Sequence, residues 1–112
     1  MALKANIVID QGTDFQALID IEDPNGLPFD LTFYESAAQM RKSYASQTAY
    51  DFICYHNSGG GQITLQMPKS ITKDLEPGRY LYDIEITTIS NDVTTRVVEG
   101  IVTVTPGITR SM

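Results

Sequence analysis

A chain of 112 residues with a net charge of −6 is one domain, and its eight scattered Lys and Arg residues exclude nucleic acid as the main partner, because phosphate binding needs clustered cations. Hydrophobic content of 42% against 20% charged is that of a globular protein, not a disordered one. A single cysteine, Cys54, excludes an internal disulfide, and no segment approaches a membrane span, so stability must come from an apolar core.

Along the chain the dominant pattern is alternation with period two, broken by turn residues. The opening, MALKANIVID, has no signal-peptide-like apolar run, which sets the expectation of folding in a reducing cytoplasm. Within it Ala5, Ile7 and Ile9 alternate with Asn6, Val8 and Asp10. After a turn at Gln11-Gly12-Thr13, a second strand sets Phe15, Ala17, Ile19 and Ile21 against Gln16, Leu18, Asp20 and Glu22. Asp23-Pro24-Asn25-Gly26 has the chemistry of a tight turn, since Pro fixes φ and Asn-Gly tolerates the left-handed region. Ala37 to Lys42 is compatible in composition with a helix, but the lack of a cap and the spacing of its neighbours favour a strand. Ser43 to Thr48 is a polar loop.

Ala49 to His56 is aromatic and β-prone and is expected as one strand. The Asn57-Ser58-Gly59-Gly60-Gly61 tip joins it to the alternating strand Gln62 to Met67 in a hairpin. Pro68 to Leu75 is the one expected helical piece: Ser or Thr can cap it, and Ile71 and Leu75 share a face. Arg79 to Ser90 alternates again, with Tyr80, Tyr82, Ile84 and Ile86 on the core side. Asn91-Asp92 turns the chain into a β-branched strand from Val93 to Thr105, in which Gly100 points to a bulge or a close backbone approach. Pro106-Gly107 stops it, leaving residues 106–112 as a short C-terminal extension. The expected architecture is all-β: a single antiparallel, immunoglobulin-like β-sandwich over 1–112, of about seven strands, with one short helical turn near 70–75.

Residues able to carry chemistry are few. His56 is the sole histidine, and no nucleophile-elbow sequence accompanies it, so no catalytic residue is assigned. Cys54 and His56 share a strand face, but two ligands are too few for zinc. Asp20/Glu22 and Asp83/Glu85 each pair carboxylates on one face, which solvated strand faces explain without a metal. The glycine-rich tip at 57–61 precedes a strand and lacks the Lys-Ser/Thr of a phosphate loop, so no cofactor is expected.

Six segments together resemble a family of small virion structural proteins of tailed phages, the contractile-tailed and cyanophage type. They are KANIVIDQGTDF (Lys4 to Phe15), DPNGLPFDLTFY (Asp23 to Tyr34), MRKSYAS (Met40 to Ser46), GQITLQMP (Gly61 to Pro68), PGRYLYDIEI (Pro77 to Ile86) and TTRVVEGIVTVTPGITR (Thr94 to Arg110). The layout is also similar to the N-terminal β-sandwich attachment domain of phage baseplate and receptor-binding proteins, although Phe33 stands where a glycine usually follows Asp-Leu-Thr.

The resemblance implies a virion protein, a tail, baseplate or neck component, that binds other virion proteins and copies of itself on a symmetric ring or shell. It implies no enzyme activity, no cofactor and neither nucleic acid nor membrane as partner. A capsid decoration (cement) protein and a glycan-binding module for host adsorption are the alternatives. Terminal strands can add to a neighbour's sheet, so Lys4, Asn6, Val8, Val98, Val102, Ile108, Thr109 and Arg110 are the expected interface. A glycan-binding module would instead gather exposed tyrosines in one cleft.

Overall fold

A computed structural model describes residues 3–57 and 59–108. Alternating segments become strands wherever one phase of side chains can be buried. The larger sheet contains β1 (Leu3–Lys4), β2 (Ile7–Asp10), β4 (Tyr34–Arg41), β5 (Tyr50–Asp51), β8 (Gly78–Thr88) and β9 (Thr94–Thr105). The smaller contains β3 (Phe15–Asp20), β6 (Ile53–Asn57) and β7 (Gln62–Met67), and α1 (Lys69–Thr72) lies between β7 and β8. The larger sheet runs β1-β9-β8-β4-β5 with β2 continuing β1 along β9, and the smaller runs β3-β7-β6.

That order is the one expected of an immunoglobulin-like sandwich, in which chain-distant strands become neighbours through Greek-key connections. One pairing departs from the all-antiparallel expectation. β1 and β2 run parallel to β9, with Leu3 opposite Val98 and Asp10 opposite Thr105, whereas every other pairing is antiparallel. Only a long crossover can bring parallel strands together, and here most of the domain is that crossover.

The inner faces meet in one core. Ala38, Met40, Tyr80, Tyr82, Ile84, Ile86, Val98, Val102 and Val104 from the larger sheet face Ile19, Ile63, Leu65 and Met67 from the smaller. Each such aliphatic side chain contributes about 1.5–3 kcal/mol by leaving water.

Tyr80 stands at the start of β8 with its ring buried, and its hydroxyl donates to the carbonyl of Glu76, 2.8 Å away and four residues back. This is the tyrosine corner of immunoglobulin-like domains, a hydrogen bond that locks the crossover entering that strand. Tyr82 follows on the same face, packs edge-on against Phe52, and donates its hydroxyl to the carbonyl of Ala5 at 2.6 Å. The core-facing role expected of both tyrosines is what the structure has.

Three local expectations change. Ala49 to His56 is not one strand, because at Phe52 the chain leaves the larger sheet for the smaller; burial of the Phe52 ring drives this, and its N–H still reaches the carbonyl of Ala38 at 3.0 Å. The helical piece is shorter than expected and has no side-chain cap from its own Ser or Thr; instead the Asp14 carboxylate, from the turn before β3, accepts the Lys69 N–H at 2.8 Å. Its buried side is Thr72 and Leu75 rather than Ile71 and Leu75, because the Thr72 hydroxyl is drawn in to the carbonyl of Thr13.

Gly100 is a close approach, as the second of its two expected readings had it: a Cβ there would lie 2.0 Å from the carbonyl oxygen of Ala5. The register shift of that strand lies nearby, at Val97, opposite the Ile84/Glu85 step. Gly61 is fixed in a comparable way. It has φ +63°, and a Cβ would lie within 3 Å of the backbone of Ile21 and Phe29, so the hairpin tip seats on the loop after β3.

Candidate functional site

Among the described residues four surface features could bind something, and each follows from the strand pattern beneath it. The first is the free edge made by β1 and β2. Ala5 donates its N–H to Glu99 and Gln11 donates to Thr105, so the odd-numbered residues turn their backbone groups toward β9. By alternation the N–H groups of Asn6, Val8 and Asp10 point away from the sheet. On the outer face of this edge Lys4 and Asp10 are exposed, and Val8 is 59% exposed. Between β1 and β2 the Asn6 side chain accepts the N–H of Ile101 at 3.0 Å, which keeps the ladder satisfied across the break.

Of the expected interface residues, Lys4, Asn6 and Val8 therefore line an accessible edge. Val98 and Val102 do not. Both side chains are fully buried in the core, and β9 is hydrogen-bonded on both sides, by β1 and β2 on one and β8 on the other. The sequence hid this because both phases of the strand carry apolar residues, Val97 and Ile101 in one and Val98 and Val102 in the other. Ile108 is 98% exposed in the tail, and Thr109 and Arg110 lie outside the described residues.

The second feature is the outer face of the smaller sheet. The register places Leu18, Thr64 and Tyr55 in one row, flanked by Gln16, Gln66 and Ile53. Leu18 and Tyr55 are each 57% exposed, and no lysine or arginine occupies these rows. Leu18 carried a signal in the sequence, as an apolar residue in the polar phase of its strand, yet Gln16 and Asp20 on either side concealed it. The third is the loop end, where Phe33, Ile89 and Val93 are exposed and the Ile89 N–H bonds the carbonyl of Phe33 at 3.0 Å.

The fourth is an open depression of about 640 Å³ on the outer face of the larger sheet, lined among others by Arg41, Tyr44, Leu81, Asp83, Arg96 and Ile101. Its two arginines are held within the chain. Arg96 pairs with Asp83 at 3.0 Å and Glu99 at 3.3 Å, the carboxylate of Asp83 raising its already high pKa, while Arg41 donates to the carbonyl of Ser46 at 2.7 Å.

Chemistry-bearing groups are distributed rather than gathered. The His56 imidazole meets the Ser36 hydroxyl at 3.3 Å across the side of the sandwich where β4 and β6 approach, with no carboxylate bonded to the ring among the described residues. Burial pushes the Cys54 thiol up to about 11, which keeps it protonated and weakly nucleophilic at neutral pH. Asp83 is held by Arg96, and Asp20 accepts from Gln62 at 3.2 Å. Among the described residues no group of three potential metal ligands comes together, and no helix is long and apolar enough to cross a membrane. Exposed tyrosines do not share a cleft: Tyr44 lies beside the depression on the larger sheet and Tyr55 on the smaller.

Fold and surface together define a class, an immunoglobulin-like β-sandwich whose available features are an edge, a loop end and outer faces. No known family profile and no curated protein matches the chain. Among solved structures it is similar to a family 123 glycoside hydrolase from Clostridium perfringens, described for glycolipid glycan hydrolysis, at 15% identity and a TM-score of 0.42. The likeness covers 92% of this chain but only 23% of that one, and at this level it carries no argument about function.

Proposed function

We propose that this chain is a structural protein of a tailed-phage virion, a tail, baseplate or neck component that assembles through contacts with other virion proteins and with its own copies. The observation that carries the reading is the β1–β2 edge, where an exposed valine and outward backbone donors have no partner among the described residues. A sheet edge of this kind is a template for strand addition. The uncharged rows around Leu18 and Tyr55 add a face suited to packing against protein. The near full-length resemblance of the sequence to small virion proteins supplies the setting.

Capsid decoration uses the same surfaces and differs only in where the protein sits. A glycan-binding role draws less support, since Tyr44 and Tyr55 lie on different sheets. The test is a protein census of purified particles of a phage encoding the chain, followed by a reconstruction that locates its density. The expected result is a fixed copy number on the tail or neck. Density on the head shell would move the assignment to decoration, and absence from washed particles would refute a virion role.

A further inference from the structure

We infer that the β1–β2 edge pairs with the same edge of a second copy, antiparallel about a two-fold axis centred on Ile7. Self-pairing of this kind needs three things: free backbone groups in phase, side chains that tolerate each other, and a register that one arrangement satisfies better than its neighbours. The edge meets all three from Lys4 to Val8, and at Asp10 it offers the N–H, the carbonyl there accepting from the Thr13 N–H and hydroxyl.

The phase is set by Ala5 and Gln11, whose N–H groups go to β9. Asn6, Val8 and Asp10 then turn their N–H groups outward, so an antiparallel partner must set even residues opposite even residues. Registers allowed by this rule are those centred on Asn6, Ile7 or Val8.

The charges choose among them. Lys4 and Asp10 lie on the same outer face, both exposed, and neither has an ion-pair partner among the described residues; the Asp10 carboxylate accepts the neutral Thr105 hydroxyl at 2.7 Å. Six residues of strand hold them roughly 20 Å apart, too far to meet within one chain. Centred on Ile7, the pairing places Lys4 opposite Asp10 of the copy at both ends of the ladder, and Asn6 opposite Val8. Centred on Asn6 or Val8, neither charge meets its opposite. A two-fold contact repeats each favourable pair, so the complementarity counts twice.

The inference names the partner for the assembly reading above and rests on that reading only for its purpose. Self-association is read in purified protein and virion residence in purified particles, so either can fail alone.

The experiment is sedimentation velocity of the wild-type chain and three variants over a concentration series. Lys4→Asp and Asp10→Lys each set like charges opposite each other at both ends, and each alone should dimerise on the order of tenfold more weakly. An equimolar mixture of the two should recover wild-type association, because only the mixed dimer restores both opposite-charge pairs. Val8→Pro removes an N–H that β9 does not use, so it should leave the monomer folded by circular dichroism while abolishing the dimer. A wild type that stays monomeric throughout overturns the inference. So does a mixture no better associated than its components, or a folded Val8→Pro that still dimerises.

Discussion

Gly100→Ala is the substitution whose cost the structure defines most directly. The new Cβ would sit 2.0 Å from the Ala5 carbonyl oxygen, where real Cβ atoms do not come within 3.0 Å, and 2.8 Å from the carbonyl carbon of the same residue. Both obstacles are backbone, so no side chain can swing aside; the segment joining β1 to β2 must retreat by about 1 Å. That retreat breaks what the carbonyl holds. The Tyr82 hydroxyl, 2.6 Å from it, loses its acceptor while its ring stays buried, and a stranded buried donor costs about 1–3 kcal/mol. The Ile101 N–H to Asn6 bond is strained by the same shift, adding up to about 1 kcal/mol. An expected loss of about 1–4 kcal/mol follows, a large fraction of the stability of a domain this size. The chain has no tryptophan, so urea unfolding is best followed by far-ultraviolet circular dichroism. A loss under about 0.5 kcal/mol would refute the close approach of Ala5 to Gly100.

Tyr80→Phe keeps the buried ring and deletes only the bond to Glu76, and should cost about 1 kcal/mol in denaturant unfolding; a neutral result would mean the tyrosine corner adds no stability here. Arg96→Ala removes two exposed ion pairs and should leave the urea midpoint nearly unchanged, with any difference fading at high salt; a large salt-independent drop would contradict the exposed setting. Cys54 should react slowly with a maleimide at pH 7.5 and rapidly once unfolded, because burial keeps its thiol protonated; equal rates in both states would contradict that environment. Folded-state values raised to about 11 for Cys54 and about 12 for Tyr82 mean the unfolded chain releases these protons first as pH rises. Their contribution is then whole below about pH 9 and declines between pH 9 and 12, which unfolding measured across that range would register; stability rising with pH there would reverse the sign and refute it.

Much of this fold was legible because burial on one side imposes period two, and β3, β7 and β8 follow the expected alternation closely. The ambiguous stretch at Ala37 to Lys42 belongs to strand β4, where Ala38 and Met40 face the core while Ala37 and Gln39 face out. What escaped depends on contacts between chain-distant residues. Nothing local in Lys4 to Asp10 announces a parallel partner nearly a hundred residues away, and nothing in Phe52 marks a change of sheet. The interface expectation split along the same line. Alternation put Lys4, Asn6 and Val8 on an exposed face, whereas the burial of Val98 and Val102 was not legible because only tertiary structure puts a strand on each side of β9.

The parallel pairing of the first strands with the last has a consequence for the order of synthesis. During translation Lys4 to Asp10 leave the ribosome well before Thr94 to Thr105, yet their ladder exists only after those later residues have followed. Until then the segment is an apolar strand without a sheet, and a neighbouring nascent copy offers it the same partner that its own chain will later supply. Closure of the domain is thus a race between the chain's own β9 and another molecule's, and slower elongation through Thr94 to Thr105 should tip it toward exchanged strands.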